Sequence, residues 1–469
     1  MTTASLNGTA LAELQAAFGG ELIQPDAPGY DEARSIFNAM VDRRPALIAR
    51  CHGVSDVIAA LRFARDNELE VSVRGGGHSV TGHGLCDGGV CIDVGPMKGV
   101  RVDPARKTAW VQAGCNWGEL DRETQAYGLA VTGGRVPSTG VAGLTLGGGS
   151  GWIERKCGYT ADNLIAADVV TADGRVVVAS ADEDADLLWA LKGGGGNFGI
   201  VTAFEFQLHE VGPIMLGGMM MFPAERAGEV LRFYRDYIDS APDEVGGATA
   251  ILTAPPEEFV PDEIRGKPVI GVIWCYVGSL EEGETHLRPL RELGPALDIV
   301  QPMPYLVVQR LIEPGNPPGN QQYWKAGFIQ ELTDDAIDQW VTHATNVASP
   351  FTASIMLPLG GAVARVGEDD TPLGFRDAAW NYHILSQWPD PAEQERQVAW
   401  TRAFAEAMEP SSLDGVYLNF MADETGDLVQ RSFGPEKYAR LQELKDRYDP
   451  ENVFRYNQNI KPTAAGVTA

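Results

Sequence analysis

RGGGHSVTG, residues Arg74 to Gly82, is the stretch on which the reading of this chain turns. It follows a short alternating segment, EVSVR, that reads as a β-strand. Three consecutive glycines carry no Cβ, so backbone N–H groups there can close on an anion. Arg74 would add a fork of donors. The pattern predicts a diphosphate cradle built from Arg74, Gly75, Gly76, Gly77 and Ser79, with a tight turn between strands as the plain alternative.

Working outward, a second glycine segment runs from Thr132 to Gly151, TGGRVPSTGVAGLTLGGGSG. Backbone packed flat against a planar ring system would account for so many glycines; a bend under a second domain is the alternative. A third run, GGGNFG (194–199), satisfies G-x-G-x-x-G. That motif signals a dinucleotide site only between a strand and a helix. Here a helix, DLLWALKG, precedes it and a strand, IVTAFEF, follows, which argues against NAD(P). Cys157 lies beside Arg155 and Lys156, and neighbouring cations favour the nucleophilic thiolate. A lone cysteine is more often a small buried hydrophobe. His78, His83, Cys86 and Cys91 are zinc-type ligands, but their spacing fits no zinc pattern and no metal is expected.

Composition bounds the rest. The 469 residues call for two to four units at about 100–200 residues each. A net charge of −27 argues against nucleic acid, which needs clustered Lys and Arg. No apolar run approaches the ~20 residues that cross a bilayer, so no membrane partner is expected. The N-terminal residues lack a basic region followed by an apolar one, which reads as cytoplasmic. Six irregularly spaced cysteines in a chain this long read as reduced thiols.

Along the chain, SDVIAALRFARDNEL reads as a helix capped at Ser55–Asp56, and NWGELDRETQAYGL as an amphipathic helix. LIAADVVTADGRVVVAS reads as a hairpin about Ala-Asp-Gly. A composition shift at Gly212-Pro213 suggests a boundary. Beyond it lie AERAGEVLRFYRDYIDS as helix, KPVIGVIWCYV and AAWNYHILSQW as strands, and EPGNPPGN (313–320) as a surface loop. The end, TAAGVTA, reads as a frayed tail.

Taken in order, RGGGHSVTGHG, DGGVCIDV, WGELDRETQAYGLAVTGGRVPSTGVAGLTLGGGSGW, LLWALKGGGGNFGIVTAFEFQL and YDPENVFRYNQNIKP resemble berberine bridge enzyme-like FAD-linked oxidases. These have the vanillyl-alcohol oxidase type of FAD fold, and the likeness is densest before residue ~210 and at the C-terminus. The resemblance implies an α+β chain with a two-part FAD-binding domain, residues 1–211 and 413–469. A substrate domain, 212–412, would place an antiparallel sheet backed by helices over the flavin.

It implies FAD bound twice: through His78 at the C8 methyl group and through Cys157 at C6, as in bicovalent members. Ser138, Thr139, Val141 and Gly143 would line the isoalloxazine and ribityl. Asn163, Ile200 and Val201 would run along the rest of FAD, and Tyr456, Asn457 and Asn459 would close over the ring. Many members carry a tyrosine where this chain has Phe420, so the base must lie elsewhere. Tyr382, His383 and Tyr417 are the candidates, and strand alternation lets only one of Tyr382 and His383 face the flavin; counting from Arg376 favours Tyr382, whereas counting back from Trp388 gives Asn381.

The reaction implied is oxidation of a C–OH, on a sugar, oligosaccharide or other alcohol, by hydride transfer to flavin N5, with O2 reduced to H2O2. A small residue at Val141 favours O2 as acceptor. The alternatives are a dehydrogenase of the same fold that passes electrons from an alcohol, alkaloid or polyketide elsewhere, and a flavin- or metal-binding protein without turnover. Partners are a small-molecule substrate and O2, in a monomer or homodimer.

Overall fold

The computed structural model describes residues 6–422 and 426–463. Apart from Thr463, the tail TAAGVTA lies outside them.

Two small sheets build the first part of the chain. Leu47–Arg50 and Val71–Arg74 both run parallel to Val90–Asp93, with Glu21–Ile23 antiparallel on the outer edge. Strand burial is complete along Val90–Asp93, as a central parallel strand requires. The second sheet is antiparallel, in the order Val100–Asp103, Thr108–Gln112, Ile200–Gln207, Leu164–Val170, Val176–Ser180. The last two strands are the hairpin read from β-branched runs about Ala-Asp-Gly.

Helix Val54–Asp66 is capped two residues before Ser55, the first of the two cap residues its sequence suggests. Gly53 is the N-cap, and Asp56 instead accepts from Gly19 N (2.7 Å) and His52 N (2.9 Å). Helix Trp117–Gln125 opens with a reciprocal capping box between Asn116 and Glu119.

After cis Gly212–Pro213 the chain forms an eight-stranded antiparallel sheet. Ile214–Pro223, Pro268–Tyr276, Val245–Thr253, Ala353–Pro358, Trp380–Trp388 and Gln321–Ile329 lie side by side in that order. One face packs on helices Ala227–Ser240, Asp334–Thr345 and Gln394–Met408 through Tyr234, Trp274, Trp340, Ile384 and Phe404. The other face, carrying Ile355, Leu357 and Leu385, turns toward the first part of the chain and shares an apolar cluster with Trp152 and Cys157. Among the described residues no helix is long and apolar enough to cross a membrane.

The C-terminal segment returns to the first core, where Leu441, Phe454 and Ile460 pack with Phe204 and Leu191. A buried ion pair ties it down. Lys445 Nζ meets Asp449 at 2.6 Å and also donates to the carbonyls of Asn197 (2.9 Å) and Phe454 (3.0 Å). Asp449 accepts in turn from Val453 N and Phe454 N. Every buried proton and lone pair there has a partner, the condition under which a buried pair is tolerated.

Candidate active site

A cavity of about 320 Å3 opens where the two parts meet, within the range of cofactor and ligand sites. Its floor is glycine backbone: Gly75, Gly76 and Gly77 after the strand Val71–Arg74, then Gly140 and Gly143, then Gly195, Gly196 and Gly199 before Ile200 and Val201. Gly76 and Gly140 touch so closely that a Cβ on Gly76 would lie 2.4 Å from Gly140 N. The two glycine segments are thus one surface, and glycine is required for their contact. At Gly143 and Gly196 a Cβ would meet nothing within 4 Å, because the space beside them is the cavity itself.

Among the described residues, nothing accepts a hydrogen bond from the backbone N–H groups of Gly76, Gly77, His78 or Ser79. Four adjacent free donors beside Gly77 in the left-handed region (φ 70°) suit the oxygens of a diphosphate. This cradle therefore fits FAD. Arg74 contributes differently from expectation. Its guanidinium is taken by Asp93 (2.6 Å) and by the carbonyl of Ala33, so it braces the strand end and offers no free fork.

His78 stands in the cavity wall. Its ring stacks on Phe37 (centroids 4.1 Å apart, 18° between planes), and its Nε2 lies 2.9 Å from Ser138 Oγ. Burial pulls its pKa down to about 4, so the imidazole is neutral at physiological pH. Thr139 and Gly143 line the cavity as expected, as do Ile200, Val201, Tyr456 and Asn457.

Five expected contacts lie off the cavity wall, among them Ser138, whose hydroxyl meets His78 rather than the cavity. Val141 is fully buried in the core beneath the floor, so its size says nothing about oxygen access. Asn163 spends its amide on the carbonyls of Cys157 (2.8 Å) and Tyr159 (2.9 Å). Neither Asn459 nor Cys157 reaches the cavity wall.

Cys157 is the largest correction. It ends the short helix Glu154–Cys157 and packs among Trp152, Ile153, Val211 and Cys275. The cations beside it in sequence are engaged elsewhere: Lys156, whose charge only partly offsets burial of the thiol, pairs with Glu244, and Arg155 donates to Leu359 O (2.6 Å). Burial pushes the thiol up to about 12, which opposes thiolate formation. All six cysteines are buried and free, and none lines the cavity.

The sheet supplies the roof: Trp324, Ile355, Leu357, His383 and Leu385, with Ile312 and Asn316 from the loop before Gln321–Ile329. That loop, read as surface, is thus partly cavity wall. Strand alternation decides between the adjacent candidates on Trp380–Trp388. His383 faces the cavity, whereas Tyr382 faces the helices, packed on Trp340, with its hydroxyl 3.1 Å from Ser412 Oγ. The preference for Tyr382 is therefore reversed. Tyr417 is also excluded from the cavity wall. Its oxygen accepts from Gly149 N (2.6 Å) and Ser150 N (2.9 Å), and burial raises its pKa to about 12.

His383 lies flat on Phe420 (4.0 Å, 7°) and edge-on to Trp324 (4.9 Å, 76°). Its Nε2 is buried with no hydrogen-bond partner. Burial, reinforced by Arg135, lowers its pKa to about 3. Arg135 and Val136 also line the cavity. Arg135 donates to Ser150 Oγ (3.0 Å), Gly151 O (3.1 Å) and buried Glu154 (3.2 Å), and its guanidinium lies over Trp152. Arg135, within TGGRVP, has no local signal in the sequence, because its role depends on a glutamate nineteen residues on. Leu385 and Ile355 carried no local signal.

A glycine floor with an anion cradle, a histidine at its edge and a sheet roof define a site for an elongated, diphosphate-bearing redox cofactor. Comparison with known proteins identifies it. Residues 45–180 match the FAD binding domain model, and residues 416–461 match the model for berberine and berberine-like proteins. (R)-6-hydroxynicotine oxidase of Paenarthrobacter nicotinovorans is 33% identical over 462 residues, covering 94% of this chain and 97% of that one. The crystal structure of 6-hydroxy-D-nicotine oxidase from Arthrobacter nicotinovorans superposes with a TM-score of 0.85 at 29% identity, over 98% of this chain and 100% of that one. A glucooligosaccharide oxidase from Acremonium strictum, whose FAD is 6-S-cysteinyl and 8α-N1-histidyl, gives 0.85 at 26% identity, over 97% and 99%. The chain belongs to the berberine bridge enzyme-like FAD-linked oxidoreductases.

Proposed function

We propose that this protein is an oxidase that holds FAD through one covalent bond, at His78, and oxidises a carbon bearing an O–H or N–H group. The observation that carries this reading is the neutral imidazole of His78 at the edge of the glycine cradle, with no cysteine on the cavity wall. Bound FAD supplies the two-electron acceptor for that carbon, and its reoxidation by O2 yields H2O2.

The protein's own groups divide the remaining work. The free N–H groups of Gly76 to Ser79 hold the diphosphate. The apolar roof keeps water from the reacting carbon. His383 accepts a hydrogen bond from the substrate's O–H or N–H and so orients the proton that must leave. An imidazole this costly to protonate orients the O–H or N–H and does not store its proton, since efficient bases have pKa values near the working pH. Phe420, which cannot take a proton, serves as the platform beneath His383.

The roof also favours a compact, ring-bearing alcohol or amine over an oligosaccharide. Trp324, Ile355, Leu357 and Leu385 offer little to a sugar's many hydroxyls, and each buried polar group left unpaired costs about 1–3 kcal/mol. Among the described residues no Asp or Glu lines the cavity, which favours an amine in its uncharged form.

The test is the oxidative half-reaction. Anaerobically photoreduced enzyme is mixed with O2 or with a quinone dye and followed by flavin absorbance. Faster reoxidation by O2, with stoichiometric H2O2, is expected; slow reaction with O2 and fast reaction with the quinone would mean a dehydrogenase.

A further inference from the structure

We propose that Ser138 and Phe37 are positioning residues that prepare His78 for covalent attachment of the flavin, Ser138 by fixing the imidazole tautomer and Phe37 by fixing the ring plane. The proposal rests on the reading of His78 as the attachment point and adds how this chain makes that nitrogen reactive.

Ser138 Oγ can either accept from Nε2–H or donate to Nε2, and attachment through Nδ1 needs the first arrangement. A neutral imidazole carries one N–H and one lone pair, and the hydrogen bond at one nitrogen decides which nitrogen keeps the lone pair. Ser138 Oγ lies 2.9 Å from Nε2, and among the described residues nothing else bonds the ring. When Nε2–H donates to Ser138 Oγ, the lone pair is on Nδ1, the nitrogen without a protein partner. Phe37 covers one face of the ring at 4.1 Å and is itself fixed by its N–H to Gly77 O (3.0 Å), one residue before His78. The stack restrains rotation of the side chain, and with Ser138 as acceptor the serine holds the tautomer whose lone pair is on Nδ1.

The bond then forms between Nδ1 and the C8 methyl carbon of FAD. One C–H bond of the methyl group and one N–H bond of the imidazole break. The two electrons and two protons reduce the isoalloxazine and pass to O2, giving H2O2, so the flavin ends oxidised and attached.

The test uses the full chain purified without flavin from riboflavin-starved cells. FAD is added in air, and covalent flavin is followed by fluorescence of the denatured band. Non-covalent binding is followed in parallel by quenching of FAD fluorescence. Ser138→Ala is expected to bind FAD as wild type does and to attach it about tenfold more slowly, the scale of one hydrogen bond. Ser138→Thr, which keeps the oxygen, should restore the rate, and Phe37→Leu should slow it without loss of binding. Attachment at the wild-type rate in Ser138→Ala overturns the proposal. So does parallel loss of binding and attachment in Ser138→Ala and Ser138→Thr, which would make Ser138 part of the FAD site only. Absence of covalent flavin in wild type would overturn the reading of His78 itself.

Discussion

The floor and the roof of the cavity are built on opposite plans. The floor is backbone: glycines 75–77, 140, 143, 195, 196 and 199, of which Gly143 and Gly196 leave their Cβ space to the cavity and Gly76 and Gly77 leave their N–H groups free. The roof is side chain: one face of an antiparallel sheet, where strand alternation selects Trp324, Ile355, Leu357, His383 and Leu385. A backbone floor can bind only what the backbone fits and tolerates almost no substitution. A side-chain roof can be rewritten residue by residue without disturbing the floor. This division lets one fold keep its cofactor while its substrates change.

The sharpest way to break this comparison is at the floor. Gly76→Ala places a Cβ 2.4 Å from Gly140 N, against backbone that cannot give way. It should cost about 3 kcal/mol, the top of the overpacking range, and leave the purified protein nearly free of flavin absorbance. A normally yellow Gly76→Ala protein would mean that the two glycine segments are not one surface. At the roof, His383→Leu should keep full flavin content and slow substrate-dependent flavin bleaching on the order of 10²-fold. Leu385→Ala should cost about 2 kcal/mol in urea unfolding, shift substrate preference toward bulkier rings and leave flavin content unchanged.

His383 also gives the roof a pH signature. Its folded pKa, near 3, lies below the ordinary value of 6.5. Between those values the unfolded chain binds a proton that the folded chain refuses. Stability is therefore full above pH 6.5 and falls as pH drops toward 3, by up to about 1.4 kcal/mol per unit. Urea unfolding of wild type and His383→Leu across pH 4–7 should show the smaller slope in the variant. The smallest effect is expected at Tyr382→Phe, which removes only the hydroxyl facing Ser412 behind the sheet. It should cost about 1 kcal/mol of stability and change flavin bleaching less than about threefold.

The same division explains which parts of the site are legible in the sequence. Glycine clusters are local signals, so the cradle from Gly75 to Ser79, the strand after GGGNFG and the segment at Tyr456–Asn457 were all legible. The strand AAWNYHILSQW was legible as a strand, but which face of it meets the cavity was not. Register depends on the neighbouring strand Gln321–Ile329, some fifty residues away, where Ala326 stands opposite His383. Cys157 misled for a related reason. Its sequence neighbours are cations, yet its spatial neighbours are Trp152, Ile153 and Cys275. Sequence adjacency to Lys156 counts for little once that side chain pairs with Glu244.

The central claim is a single anchor, at His78, and acid precipitation tests it most directly. Wild type, His78→Ala and Cys157→Ala, each purified with FAD, would be denatured in acid and examined for flavin fluorescence in the protein band. The account predicts equal fluorescence in wild type and Cys157→Ala and none in His78→Ala. Flavin retained in His78→Ala, or released in Cys157→Ala, would contradict it.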